Sequence, residues 1–209
     1  MTEYYIPTRP SETEFVEKRS RFIGHVLPVK TEAEARAFID EMKKKYYDAR
    51  HNCWCYLIRE GGVIRYSDDG EPQGTAGQPM LGVFEKEGIT DVVCVVTRYF
   101  GGILLGAGGL VRAYTRSAKD ALDAAGVSVV RRWVKMLVSC SYKSYERVRN
   151  ETERFGAVIS DTEYGADILL TVLVPEQDAD GYSAMLIDLT AGEVEPMADG
   201  EVFQPVPVR

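Results

Sequence analysis

Residues 91–125 read DVVCVVTRYFGGILLGAGGLVRAYTRSAKDALDAA, and three patterns follow one another within them. The run DVVCVVT at 91–97 is apolar without polar alternation, so it reads as a strand buried on both faces. RYFGGILLGAGG at 98–109 is glycine-rich and aperiodic, which predicts a loop. From 110 to 125 apolar residues recur every three or four positions, the signature of an amphipathic helix. A buried strand, a glycine loop and a long helix in succession point to a fold that mixes sheet and helix.

Outward from this stretch, 12–17 and 21–29 read as two strands of an opening hairpin. Thr31 caps a helix with Glu34 three residues on, and Ala35, Phe38, Ile39, Met42 and Tyr46 keep helical spacing past the solvated run Lys43-Lys44-Lys45. Strands are expected at 51–58 and 63–66, joined at Gly61-Gly62, then a surface loop at 67–79 and a short helix at 78–88. After Val127 the pattern restarts: strand 133–140, helix 144–155, strand 157–162, a turn at Tyr164-Gly165, strand 168–174, helix 179–189, strand 193–203. Written βαββαβ, it matches the split-βαβ, ferredoxin-like plan. The expectation is an α+β chain with domains at 1–130 and 131–209, joined by a continuous strand or short hinge because no Pro, Gly or Ser linker lies near 127–132.

Composition narrows the class. With 45% hydrophobic and 27% charged residues, the chain lies outside the range of disordered sequences. No apolar run approaches the roughly 18–20 residues of a membrane helix, and the start is acidic without a basic and hydrophobic leader, so neither secretion nor membrane spanning is expected. Cys53, Cys55, Cys94 and Cys140 form no C-x-x-C pair, which argues against a disulfide framework or zinc knuckle and fits a reducing cytosol. The net charge of −7 is uneven: 17 lysines and arginines face 18 acids through Val130, and 8 face 14 beyond it. Whole-surface attraction to nucleic acid is excluded, whereas a local basic site is not.

The glycine loop leads into a helix start, where unpaired N–H groups and the helix dipole favour anions. Gly101, Gly102, Gly106, Gly108 and Gly109 would let a phosphate approach the backbone, with Arg98 at the strand end and Arg112, Arg116 and Lys119 on one helix face. The spacing is neither a Walker loop nor a dinucleotide fingerprint. The alternative is close helix packing with cations paired to Asp120 and Asp123. In the loop Ser67-Asp68-Asp69-Gly70-Glu71-Pro72-Gln73-Gly74-Thr75-Ala76-Gly77, the acids would hold Mg²⁺ or act as an acid/base pair. Turn chemistry is the favoured reading, with the acids answering Arg98 or capping the next helix. His51, Cys53 and Cys55 share one strand face, a pattern open to metal binding or a Cys–His pair but favouring core packing; no metal or other cofactor is expected.

SRFIGHVLPV from Ser20, ARHNCWCY from Ala49, YSDDGEPQGTAGQPML from Tyr66 and VVTRYFGGILLGAGGLVRAYT from Val95 closely resemble the IMPACT/YigZ family over about two thirds of the chain. Cys55 departs from that pattern, where a small residue is expected. The resemblance implies a two-layer N-terminal domain of the left-handed βαβ type, shared with a ribosomal small-subunit protein, a domain of elongation factor G and the ribonuclease P protein. It implies a bacterial C-terminal domain that is ferredoxin-like and similar to the last domain of elongation factor G. Relatives of this fold contact RNA, and eukaryotic family members regulate translation by competing for the activator of an amino-acid-starvation kinase.

The expected function is a cytoplasmic, non-enzymatic regulator associated with translation, binding RNA, the ribosome or a translation-related protein. Arg98, Arg112, Arg116 and Lys119 would meet phosphates, and the loop with Asp69, Glu71, Gly74, Thr75 and Gly77 would shape the adjoining groove. The rival is an enzyme or sensor for a small phosphorylated ligand, held by the 106–109 loop and by Mg²⁺ on Asp69 or Glu71.

Overall fold

The computed structural model describes residues 3–208. The chain forms two compact units, one centred on Tyr4–Val129 and the other on Val130–Val206. In the first, β2 (Ser11–Glu17), β3 (Ser20–Pro28), β4 (His51–Ile58), β5 (Val63–Ser67) and β6 (Val92–Tyr99) make a sheet in the order β2-β3-β6-β4-β5. Every neighbouring pair is antiparallel, and β6, the apolar run at the head of the quoted stretch, lies in the centre.

The continuous hydrophobicity of β6 has a direct cause. Val92, Cys94 and Val96 face one core, with α2 (Gly77–Lys86) and α3 (Ala107–Ala125), and Val93 and Val95 face a second core with α1 (Glu32–Lys45). β4 alternates in the same way, Cys53, Cys55 and Leu57 toward α2 and α3, Tyr56 and Ile58 toward α1. The expected two layers are therefore three, because helices cover both faces of the sheet and the apolar residues of the central strands find partners on each.

Helix α3 starts at Ala107, three residues earlier than its periodicity suggests, since Ala-Gly-Gly carries no apolar signal. It lies close to β3, where a Cβ at Gly24 would come within 2.7 Å of the Ser117 carbonyl. The β2–β3 hairpin pairs Glu17 with Ser20, so Lys18 and Arg19 alone form the turn, at φ 46° and 65°.

The second unit contains β7 (Val127–Cys140), α4 (Tyr145–Phe155), β8 (Val158–Tyr164), β9 (Ile168–Pro175), α5 (Ala179–Leu189) and β10 (Met197–Pro207). Strand β9 pairs antiparallel with both β7 and β8, and β10 also pairs with β7, giving the order β10-β7-β9-β8 of the ferredoxin-like plan. Alternate residues of β7 and β9, including Val138, Leu170 and Val172, pack with Val148, Tyr182 and Leu186 of the two helices. β7 is longer than expected, starting at Val127, and a short strand β1 (Tyr4–Pro7), unforeseen from the sequence, also pairs with it. Among the described residues no helix is long and apolar enough to cross a membrane.

On β3, His25 is buried, its Nε2 without a hydrogen-bond partner and its Nδ1 3.5 Å from Glu12. Burial pulls its pKa from 6.5 down to about 4; Glu12 opposes the shift and Lys45 assists it. The unfolded chain therefore binds a proton between these values that the folded chain refuses, so this stability is complete above pH 6.5 and lost as pH falls toward 4. Between pH 7 and 4.5 the wild type is expected to lose about 2 kcal/mol more than His25→Gln, measured as the pH dependence of the difference in urea unfolding free energy.

Candidate functional site

The acidic loop is organised by Asp68, which plays the helix-capping part that the turn-chemistry reading gave to the loop's acids without choosing among them. Asp68 accepts from the Gly74 N–H at 2.8 Å on Oδ2, and from the Ala76 and Gly77 N–H groups at 3.0 and 2.8 Å on Oδ1. The start of α2 has no cap from its own N-cap residue, Ala76, and Asp68 supplies the acceptor from outside the helix. Gly77 is required for this approach, because a Cβ would sit 2.9 Å from the Ser67 backbone. Thr75 donates to the Pro72 carbonyl at 2.6 Å, closing the same loop.

Asp69 and Glu71 are also engaged. Asp69 accepts from Lys43 Nζ at 2.8 Å and from the Asn52 N–H at 2.7 Å. Glu71 Oε1 accepts from Arg98 Nη1 at 2.6 Å and from the Tyr114 hydroxyl at 2.9 Å, in a pair whose side chains are only 3% and 6% exposed. Burial, reinforced by the nearby Cys53 and Glu71, drives the Tyr114 pKa far up, so its hydroxyl remains a donor. Burial likewise raises Cys53, helped by the charges of Glu71, Asp69 and Asp68, and its thiol donates to the Asp68 carbonyl at 2.9 Å. The Cys–His nucleophile reading lacks its thiolate. Among the described residues no cluster of three His, Cys, Asp or Glu is placed to hold a metal ion.

The expected cation cluster is divided. Arg98 is buried on Glu71 and does not present free charge, and Lys119 is bound to Glu87 at 2.7 Å and Asp123 at 2.6 Å. Arg116 meets Asp120 at 3.3 Å and lies over the Phe15 ring at 4.2 Å. Arg112 is exposed and makes no ion pair among the described residues. Gly101 serves packing: a Cβ there would overlap the Arg19 carbonyl, and its N–H donates to Ser20 Oγ at 3.2 Å. Gly102 takes a positive φ of 85° in the exposed loop, and Gly106, at φ 72°, precedes α3 without a side-chain cap. The amides of Ala107, Gly108 and Gly109 thus open the helix as orphan donors, the first helical bond being Leu110 N–H to the Gly106 carbonyl.

Two concavities flank this helix start. A groove of about 240 Å³ is lined by Phe15, Glu17, Lys18, Leu105, Gly109, Arg112 and Arg116. A cleft of about 340 Å³ lies between the acidic loop and the glycine loop, with His51, Glu71, Arg98, Phe100 and Leu104 among its walls. His51 Nδ1 is 2.8 Å from the Asp69 carbonyl, which only accepts, so Nδ1 carries the proton and Nε2 turns to the cleft, 3.9 Å from Glu71.

The Impact N-terminal domain family model matches residues 18–122, which include every lining residue of the cleft and all those of the groove except Phe15 and Glu17. The chain belongs to the IMPACT family. Residues 138–193 match a second family model, a domain of unknown function, DUF1949. IMPACT family member YvyE of Bacillus subtilis is 39% identical over 201 residues, 95% of this chain and 92% of that protein. IMPACT family member YigZ of Escherichia coli is 32% identical over 95% of this chain and 98% of that one. A crystal structure of a hypothetical protein, 32% identical, superposes with a TM-score of 0.59 over 96% of this chain and 98% of that chain.

Within this IMPACT-family chain, Lys18 is a basic residue of the groove, and Arg19 follows it in the same turn; the motif reading omitted both. Their signal was a Lys-Arg pair between two strands, where turn chemistry calls for Asn-Gly. Asp68 belongs to the loop whose acids were expected to cap the next helix; which acid does so is settled only when the loop closes.

Asp68→Ala strands three buried or half-buried N–H groups at once, so it is expected to cost about 2–4 kcal/mol, with Asp68→Asn intermediate. A urea denaturation series on the two variants measures it through the transition midpoint.

Proposed function

We propose that the protein is a non-enzymatic, cytoplasmic factor of translation that grips RNA phosphates, on the ribosome or on RNA bound to it, through the groove beside α3. The observation that carries this reading is the Lys18-Arg19 turn. Two long cationic side chains occupy positions whose positive φ favours glycine or asparagine, at a cost of about 1–2 kcal/mol each. Lys18 enters the same groove as Arg112 and Arg116, against one acid, Glu17. Neither Lys18 nor Arg19 has an ion pair among the described residues, so their charge is available to a polyanion.

The footprint differs from the one expected from spacing alone. Lys18, Arg19, Arg112 and Arg116 form it, with the orphan amides of α3 alongside, while Arg98 and Lys119 are held by internal carboxylates. Contacts of this kind neutralise phosphates without reading bases. The acidity beyond Val130 repels the same polymer and favours binding by the N-terminal unit alone. The RNA-contacting relatives of the N-terminal fold and the translational role of eukaryotic family members support the same assignment. The Mg²⁺ version of the rival reading is disfavoured because Asp69 and Glu71 already spend their oxygens on Lys43, Asn52, Arg98 and Tyr114.

The double variant Lys18→Asn/Arg19→Gly separates binding from folding. It is expected to raise the melting temperature by relieving the turn, yet to lower affinity for a short RNA about tenfold and to reduce the salt slope by about two. Fluorescence anisotropy over a salt series, repeated with Arg112→Ala, measures both. Unchanged affinity at low salt in both variants would refute the assignment.

A further inference from the structure

The second concavity has a chemistry that the RNA groove does not use. Its floor is Arg98, whose side chain is 6% exposed and whose buried Nε has no hydrogen-bond partner. Glu71 holds Nη1 at 2.6 Å, and Ser20 is 3.4 Å from Nη2, so the guanidinium is fixed in place. His51 presents Nε2 from one side. Gly106 and Ala107, where α3 opens without a side-chain cap, form the opposite wall. The rim is apolar: Phe100 and Leu104 are 41% and 82% exposed at the end of the glycine loop.

We propose that this cleft binds a small phosphate monoester with a flat apolar body, about the size of a mononucleotide. The phosphate sits between the α3 amides, Arg50 and His51 Nε2, above the buried Arg98, with the ring against Phe100 and Leu104. Charge supports an anion. Glu71 is neutralised by Arg98 and the Tyr114 hydroxyl, while Arg50 lines the mouth and has no ion pair among the described residues. Donors come from the α3 amides and from Arg50, which suits a head with several oxygens, and a single proton between His51 Nε2 and a phosphate oxygen adds a further contact. At about 340 Å³ the cleft is at the lower end for ligand sites, so it admits a single nucleotide or ring phosphate and not a polymer. No metal is required, since the amides and the unpaired Arg50 supply the positive field.

The proposal is independent of the RNA reading, and so is its test. Titration calorimetry and thermal melts of the full chain would use adenosine monophosphate, phenyl phosphate, adenosine and inorganic phosphate at equal ionic strength. At least one ester is expected to bind about tenfold or more tighter than adenosine and inorganic phosphate, and to raise the melting temperature by several degrees. Ala107→Glu places a carboxylate at the helix start, which favours the fold and repels the ligand. It is expected to melt no lower than the wild type while binding that ester about tenfold more weakly. Phe100→Ala is expected to weaken the ester and leave inorganic phosphate unchanged. Lys18→Asn/Arg19→Gly is expected to keep ester binding intact, so loss of RNA affinity and loss of ester affinity are read separately. The proposal is overturned if neither ester binds at millimolar concentration, if inorganic phosphate matches both, or if Ala107→Glu or Phe100→Ala binds the ester as the wild type does.

Discussion

A carboxylate and a guanidinium buried together are stable only if their charges and remaining hydrogen-bonding groups are answered, and Glu71–Arg98 is such a pair. Glu71 comes from the acidic loop, Arg98 from the central strand and Tyr114 from the long helix, so one carboxylate fastens three elements. Removing either charge would leave the other stranded in a site that water barely reaches, a loss of about 3–5 kcal/mol for pairs of this kind. The same contacts hold His51 and the α3 start at opposite walls of one cleft. The pair ties the acidic loop to the central strand and the long helix, while Asp68 and Asp69 anchor the rest of the loop.

Much of the fold was legible because it rests on periodicity. The unbroken apolar run of β6 announced two covered faces, and the βαββαβ order of the second unit followed from alternating periods. What periodicity does not encode was lost. β1 is four residues long, too short to show a pattern. The first turn of α3 is Ala-Gly-Gly, whose amides matter and whose side chains say nothing. The two-layer expectation came from the family resemblance and stood against the β6 run; the apolar face of α1 does not itself declare which side of the sheet it covers.

The site was legible at the level of loops and much less so at the level of partners. Spacing put Arg98, Arg112, Arg116 and Lys119 at one end of a helix, and that placement is geometric. Which cation stays free depends on acids distant in sequence: Glu71 lies 27 residues from Arg98, and Glu87 meets Lys119 from another helix end. The turn-chemistry reading of the acidic loop was the better guide, since Asp68 and Asp69 satisfy backbone amides. The residue identities were visible, but a carboxylate that caps a helix from eight or nine residues away leaves no local signature.

Sorting the loop residues by their structural duty sharpens where function lies. Asp68, Asp69, Glu71, Arg98, Gly77 and Gly101 each have a packing or hydrogen-bonding task that accounts for them. Lys18, Arg19, Arg112 and Leu104 have none. Two of these strain the backbone, and Leu104 leaves an apolar side chain almost fully in water, although the fold would gain from Asn-Gly in the turn and a polar residue at the tip. Natural sequences agree with their folds at most positions and break local rules chiefly where something other than stability is selected. Here Lys18 and Arg112 line one concavity, with Arg19 next to Lys18 in the turn, and Leu104 rims the other, on either side of a helix start whose amides are unanswered. The orphan donors are common to both concavities, and the differing side chains are what separate the two proposals, a polymer for the first and a small ring-bearing phosphate for the second.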